Sequence, residues 1–408
     1  MEMAKEMREF TRYKDSMLVD EYAAAGLTSP IEGKQQLQKA IAATGGRFID
    51  LSIMTDQTPP EAVRKAAADA AMKGGYDKNL LSTRTRLCEH FRTRYGVTFD
   101  PADEVFLTAG GQTALDNAFK LLVEPGDEVI IFEPEYATYE PMVRFYGGHA
   151  KAHPLRLEDG KWSLAVDELA AKVSSKTRLI AFSSPNNPSG YVFGRDELAA
   201  IAALAKKHDL WVLSDETWAM MLLDPQAEFV SAGVLQEIRD RLVVIYSASK
   251  TFGMSGYRMG AALGPADFMQ AFDAATRFSC HAAPTIGQHA LEKALDPSVT
   301  GEWVQRRVDN LRRRAAATVP RFRELGVPCA VPRSGVFLFP DISGTGLTSM
   351  QFSLDLLADK GVFVFPGFFY GRHTDRHVRI SMAVPDASYD KGMDALLDFI
   401  RSKTVAAA

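Results

Sequence analysis

Between Glu104 and Pro265 six short apolar runs, EVFLTAG, DEVIIFEP, TRLIAFSSP, LWVLSDE, LVVIYSAS and MGAALGP, alternate with longer helical stretches. That order dictates a mostly parallel sheet covered by helices, because each strand must return through a helical crossover before the next can pair in parallel. Thr113 to Val123 and Asp196 to His208 are two such crossovers, rich in Ala and Leu at helical spacing.

Past Thr300 the pattern changes. Val304, Val308, Leu311 and Ala315 recur at helical spacing, while Arg306, Arg307, Arg312, Arg313 and Arg314 fall largely on the other faces and read as a solvated surface. GVFLFPDI, GVFVFP and HVRISMAV then suggest short strands around the helical stretch Ser349 to Asp359, a small α+β unit. A chain of 408 residues exceeds one ordinary core, so we expect a large domain over 46–300 and a smaller one made from 1–45 together with 301–408.

Composition narrows the partners. The formal net charge of −4 is spread without long like-charge blocks, which argues against nucleic acid and a polybasic membrane patch and leaves a small molecule as partner. Cys88, Cys280 and Cys329 are far apart and lack zinc-site spacing, so no metal is expected and a reducing compartment is. The first ten residues hold mixed charges and no run is long enough to span a bilayer, pointing to a cytoplasmic protein.

Chemistry concentrates where strands end. YSASKTFGMSGYRMG, residues 246–260, carries Lys250 with Ser247 three residues before it and Arg258 eight after. A hydroxyl and a guanidinium so spaced suit one phosphate, and a lysine amine made nucleophilic by desolvation or nearby positive charge suits imine formation. Taken alone, such a lysine is more often an exposed loop residue. Its company changes the balance. LTAGGQTAL is a strand, glycine turn and helix start whose N–H groups near Gly111 and Gln112 suit a phosphate. EPEYATY puts Tyr136 at a strand end, where it can stack on a planar ring or simply fill the core. SSPNNPSG turns Asn187 toward the same edge, and LWVLSDETW carries Asp215, a carboxylate that burial would leave needing a cation such as a pyridinium nitrogen.

These segments, in this order and at this spacing, resemble the class I/II aminotransferases, the fold-type I pyridoxal phosphate enzymes, over nearly the whole chain. The resemblance implies a seven-stranded large-domain sheet and pyridoxal 5′-phosphate bound to Lys250 as a Schiff base. It implies Lys250 as proton shuttle at the substrate Cα, Asp215 on the pyridine nitrogen, Asn187 on the ring hydroxyl and Tyr136 stacked on the ring. Ser247, Arg258 and the backbone at Gly111 and Gln112 would hold the phosphate. HVRISMAV resembles the family's carboxylate-binding strand, which assigns Arg379 to the substrate α-carboxylate. Members are usually homodimers, so a homodimer is expected.

Three departures stand out. Where the family has a tyrosine three residues after the aspartate, this chain has Trp218, whose N–H donates but cannot ionise at relevant pH. In LSIMTDQTPPEAV the family's glycine near the substrate carboxylate is replaced by Met54 or its neighbours. In GGYDKNLLSTRTRL, Lys78 or Asn79 stands near the place of the tyrosine lent to the partner subunit, with Tyr76 close by. The first reading is an aminotransferase working on an α-amino acid and a keto acid through a Cα carbanion. Trp218 keeps a second open: a lyase, cyclase or O₂-using oxidase or hydroxylase on the same scaffold. A cofactor-sensing regulator would need a DNA-binding domain, for which residues 1–45 are too short and too weakly basic.

Overall fold

The structure, a computed structural model, describes residues 30–55 and 58–406. A short strand β1 (Ile49–Asp50) precedes the strands of the main sheet: β2 (Val105–Thr108), β3 (Glu128–Glu133), β4 (His149–Glu158), β5 (Lys161–Leu164), β6 (Thr177–Ser183), β7 (Trp211–Asp215), β8 (Leu242–Ser247) and β9 (Gly260–Leu263). They pair in the order β2-β9-β8-β7-β6-β3-β4-β5. Strands β8, β7, β6, β3 and β4 run parallel, and only β9 and β5 pair antiparallel to their neighbours.

The continuous apolar character of these strands follows from burial on both faces. Along β3, Val129 and Ile131 face one core with Phe119, Leu213 and Phe272, while Ile130 and Phe132 face the other with Ile180, Phe182 and Val212. Side chains alternate across a strand, so a fully covered strand needs apolar residues at every position. The helices Gly111–Leu122 and Ala266–Ser279 supply the first layer, and Leu81–Tyr95 and Arg195–His208 contribute to the second.

The sheet has eight strands where seven were expected. The extra one is β5. β4 continues past the end of β3 and folds back through Asp159 and Gly160, with φ of 50° and 71°, so that Leu155–Glu158 pairs with Lys161–Leu164. Two successive residues at positive φ are what a tight two-residue hairpin requires, and Asp-Gly supplies them at small steric cost.

The remainder is α+β. β10 (Phe337–Leu338), β12 (Phe365–Pro366) and β13 (Val378–Ser381) form an antiparallel sheet with β13 central, and β1 pairs in parallel with β11 (Val362–Phe363). Helix Pro30–Ala43 places Leu37 in a cluster with Met350, Leu357, Phe363 and Phe368. Residues 1–29, also assigned above to the small domain, lie outside the described residues. Helix Pro297–Glu324 runs across the expected boundary at residue 300.

The arginines of that helix correct the sequence reading. Arg306 and Arg313 are exposed as expected. Arg314 is buried, donating to the carbonyls of Met382 and Val384 and pairing with Asp386, and Arg312 Nε donates to Leu223 O at 2.7 Å. Long stems let these side chains cross apolar surface and deliver their donors to carbonyls that lack strand or helix partners. Among the described residues, no helix is long and apolar enough to cross a membrane.

Candidate active site

The parallel strands β2, β3, β6, β7 and β8 all deliver their C-terminal ends to one edge, the edge at which open α/β sheets bind ligands. After β2 the chain turns at Gly110 with φ of 92° and enters the helix Gly111–Leu122. A Cβ on Gly110 would lie 2.5 Å from Arg258 Nη2, the movable end of that side chain, and one on Gly111 would lie 3.0 Å from Ser247 Cβ, so side chains there would push these groups back, and the φ of Gly110 itself favours glycine. Helix N–H groups without preceding carbonyls, the Ser247 hydroxyl and the Arg258 guanidinium thus converge. Such a set suits a phosphate dianion. Thr217 belongs with it: its Oγ1 would be 3.7 Å from the same Gly111 Cβ.

Asp215 ends β7 and is buried. Its Oδ1 accepts from Thr217 N at 2.9 Å and Thr217 Oγ1 at 2.6 Å, and the buried Tyr139 hydroxyl also acts on it. Burial still raises its pKa, against the effect of those donors. Hydrogen bonds to a charged group contribute about 1.5–3 kcal/mol each, whereas the effective penalty for burying an unpaired ion is several kcal/mol. No lysine or arginine forms an ion pair with this carboxylate among the described residues, so a cationic ligand group would complete it.

Lys250 lies on the one-turn helix Ala248–Thr251, which begins with Ser247 Oγ accepting from Ser249 N at 3.3 Å. Burial, and then the charges of Arg379 and Arg258, lower its pKa to about 8. About a tenth of the amine is therefore neutral and nucleophilic at pH 7, several hundredfold more than at the ordinary lysine value. Tyr136 is half-buried, and its hydroxyl senses Asp215, Arg379 and Arg258 together, which places it among these groups.

Arg379, on β13, is buried. Nη1 donates to Asn187 Oδ1 at 3.3 Å and Nη2 to Ser52 O at 2.8 Å, while Nε is buried without a partner. Its guanidinium carbon lies 4.0 Å from the Phe337 ring centre, 5.2 Å from that of Tyr370 and 5.4 Å from that of Phe365. An orphaned donor on a caged cation is a ready site for a carboxylate.

The departures acquire positions. Trp218 is buried, its ring edge-on to Phe337 at 5.6 Å, with Lys250 Nζ 5.9 Å from its centre. Ser52, two residues before Met54, supplies the carbonyl that holds Arg379, and the buried Met54 has its sulfur 3.9 Å from Arg307 Nη2. Lys78 pairs with Asp273 at 2.7 Å and Asn79 Oδ1 accepts from Leu107 N at 3.1 Å, both within the subunit, whereas Tyr76 is 68% exposed. Sequence reasoning missed Thr217, Tyr139, Phe337 and Tyr370. Only Thr217 carried a readable signal, since an Asp followed two residues later by Thr can close an Asx turn. A cavity of about 1540 Å³ lies beside the site, lined by Gln112, Tyr136, Tyr139, Phe365, Phe369 and Tyr370 among others.

Residues 50–396 match the family described as aminotransferase class I and II. The chain is 31% identical over 345 residues to a putative aminotransferase, YugH, of Bacillus subtilis, covering 83% of this chain and 88% of that one. It is 32% identical over 337 residues to the arginine–pyruvate transaminase AruH of Pseudomonas aeruginosa, covering 81% and 84%. Among solved structures, an aromatic aminotransferase from Pyrococcus horikoshii superposes with a TM-score of 0.84 at 29% identity, covering 90% of this chain and all (100%) of that one. The aspartate aminotransferase of Thermus thermophilus, solved with maleate, gives a TM-score of 0.84 at 27% identity, covering 96% and 100%. The fold is that of the fold-type I enzymes, and these likenesses support amino-group transfer rather than the elimination, cyclisation or oxygen-using chemistry that Trp218 left open. The chain belongs to the class I and II aminotransferases.

Proposed function

We propose that this aminotransferase works as a homodimer on an α-amino acid and a keto acid, with pyridoxal 5′-phosphate carried on Lys250. The observation that carries the reading is a buried Asp215 carboxylate lacking a cationic partner among the described residues, on the same sheet edge as a lysine whose pKa is lowered to about 8. The residues present fit that cofactor. Ser247, Arg258, Thr217 and the N–H groups at Gly111 and Gln112 would hold its phosphate, Asp215 its ring nitrogen and Asn187 its ring hydroxyl, with Tyr136 against the ring. Bound there, it would supply an aldehyde carbon to take the amino group and an electron-withdrawing ring to take up the electron pair left at the substrate Cα.

The chain's own residues do the rest. Arg379 holds the substrate carboxylate with Nε and one terminal nitrogen, which fixes the Cα relative to Lys250. Lys250 Nζ, neutral for part of the time, takes the proton from Cα and returns it on the other side of the reaction. Asn187 bridges the two tasks, since its Oδ1 already accepts from Arg379 Nη1. The aromatic cage around Arg379 excludes water and strengthens the carboxylate pair.

The test is to incubate the purified enzyme with single amino acids, with and without a keto-acid acceptor, and to read the products by mass spectrometry. Transfer gives keto acid beyond one equivalent per active site only when an acceptor is present to take the amino group on. Acceptor-independent turnover, with a side-chain group lost or O₂ consumed, would sink the reading. In parallel, borohydride should fix the cofactor's mass to the peptide containing Lys250, and Lys250→Ala should carry none.

A further inference from the structure

A single helical turn such as Ala248–Thr251 cannot satisfy its own last carbonyls, because no following turn brings N–H groups to them. Phe252 N reaches back to Ala248 O at 3.2 Å. The carbonyl oxygens of Lys250 and Thr251 are met from outside: Arg307 Nη1 donates to them at 3.0 Å and 2.9 Å. Arg307 stands on the helix Pro297–Glu324, 57 residues along the chain from Lys250. Its guanidinium is itself held, stacked 4.5 Å over the Trp303 ring, and it borders Met54.

We propose that Arg307 is a positioning residue for Lys250. It grips the main chain of the lysine-bearing turn at both exposed carbonyls, so that Nζ comes back to one place each time it leaves and regains the cofactor. The inference rests on the reading of Lys250 as the cofactor lysine. A cation at the C-terminal end of a helical turn is favourably placed, and the two N–H bonds of Nη1, fixed in the guanidinium plane, serve the two carbonyls together. Arg312 offers an internal comparison. It stands on the same helix and also donates to a carbonyl, that of Leu223 at 2.7 Å, but among the described residues it makes no hydrogen bond to the Lys250 turn.

Three variants test this: Arg307→Met, Arg307→Lys and Arg312→Met. Hydrogen exchange of the cofactor-free protein, read on the peptide covering 248–254, should rise about tenfold in Arg307→Met and stay unchanged in Arg312→Met. With the holoenzyme, kcat of Arg307→Met should fall about ten- to a hundredfold while KM for the amino acid moves less than about twofold. Arg307→Lys should fall between, and added methylguanidinium should restore part of the Arg307→Met loss. Unchanged exchange and kcat in Arg307→Met would overturn the proposal, as would equal losses in Arg307→Met and Arg312→Met. A wild-type enzyme that neither transfers amino groups nor yields a borohydride adduct at Lys250 would overturn the reading of Lys250 and this inference with it. An active wild type indistinguishable from Arg307→Met overturns the inference alone.

Discussion

Arg379 comes to its proposed substrate already oriented, with Nη1 on Asn187, Nη2 on Ser52 and Nε waiting. Arg379→Lys keeps the charge and loses the fork. We predict a rise of about ten- to a hundredfold in KM for both amino and keto acid, the loss of roughly one charge-assisted hydrogen bond, measured by steady-state kinetics. Lys250 makes a second prediction at this scale. Its folded pKa lies near 8, below the usual lysine value of 10.5, so the unfolded chain binds more protons between those pH values and stability rises with pH across that window. Below pH 8 both states are protonated and the burial penalty is fully present. The cofactor-free Lys250→Met variant should therefore be more stable than wild type at pH 7, on the order of 1–3 kcal/mol, with the difference shrinking as pH rises through 8 to 10.5. Urea titrations at several pH values decide it. At this scale the sequence was most legible where a residue's position is local to a strand end, as with Lys250, Asp215 and Asn187, which the structure brings to one edge. Phe337 and Tyr370 were not legible, because their role is to face Arg379, and that contact exists only once separate short strands and turns have packed.

At the scale of elements, the parallel strands were readable because burial on both faces forces runs such as VIIF and LIAF, which few other structures need. β5 escaped although LRLEDGKWSL holds the Asp-Gly pair of a tight hairpin, since its polar, half-exposed residues lack the apolar run used to find strands. Gly160 sits at φ of 71°, and a Cβ there would meet only ordinary van der Waals neighbours, so the cost of a side chain is conformational. Gly160→Ala should destabilise the protein by about 1 kcal/mol, seen as a lower denaturant midpoint with an unchanged slope. The arginine helix teaches the complementary lesson. Its spacing separates apolar from charged faces, but cannot say that Arg307, Arg312 and Arg314 bend toward carbonyls of other segments.

For the whole molecule, the strand order gathers five strand ends at one edge, and the small antiparallel sheet carries Arg379 to it. What composition could not reveal is the surface left over. Met72, Tyr76, Leu81, Phe278 and Ile286 are 88%, 68%, 54%, 91% and 43% exposed. They look like core residues in sequence. In space, the segment following Met72 is tied to the helix of Ile286, with Asp77 N donating to Thr285 Oγ1 at 2.9 Å and Leu80 N to Gln288 Oε1 at 2.8 Å. Lys78, paired with Asp273 at 2.7 Å, ties the same segment to the helix that carries Phe278, and exposed apolar side chains on elements joined in this way are what a second copy of this chain would cover in the proposed homodimer. In a two-fold interface each substitution counts twice, so the pair Met72→Asp and Phe278→Asp buries four unpaired charges, each costing at least about 1–3 kcal/mol. Sedimentation should show wild type at twice the chain mass and the double variant at the monomer mass, with transfer activity falling in step with dissociation. A wild type that sediments as a monomer while transferring amino groups at full rate would refute the dimer and leave the site intact.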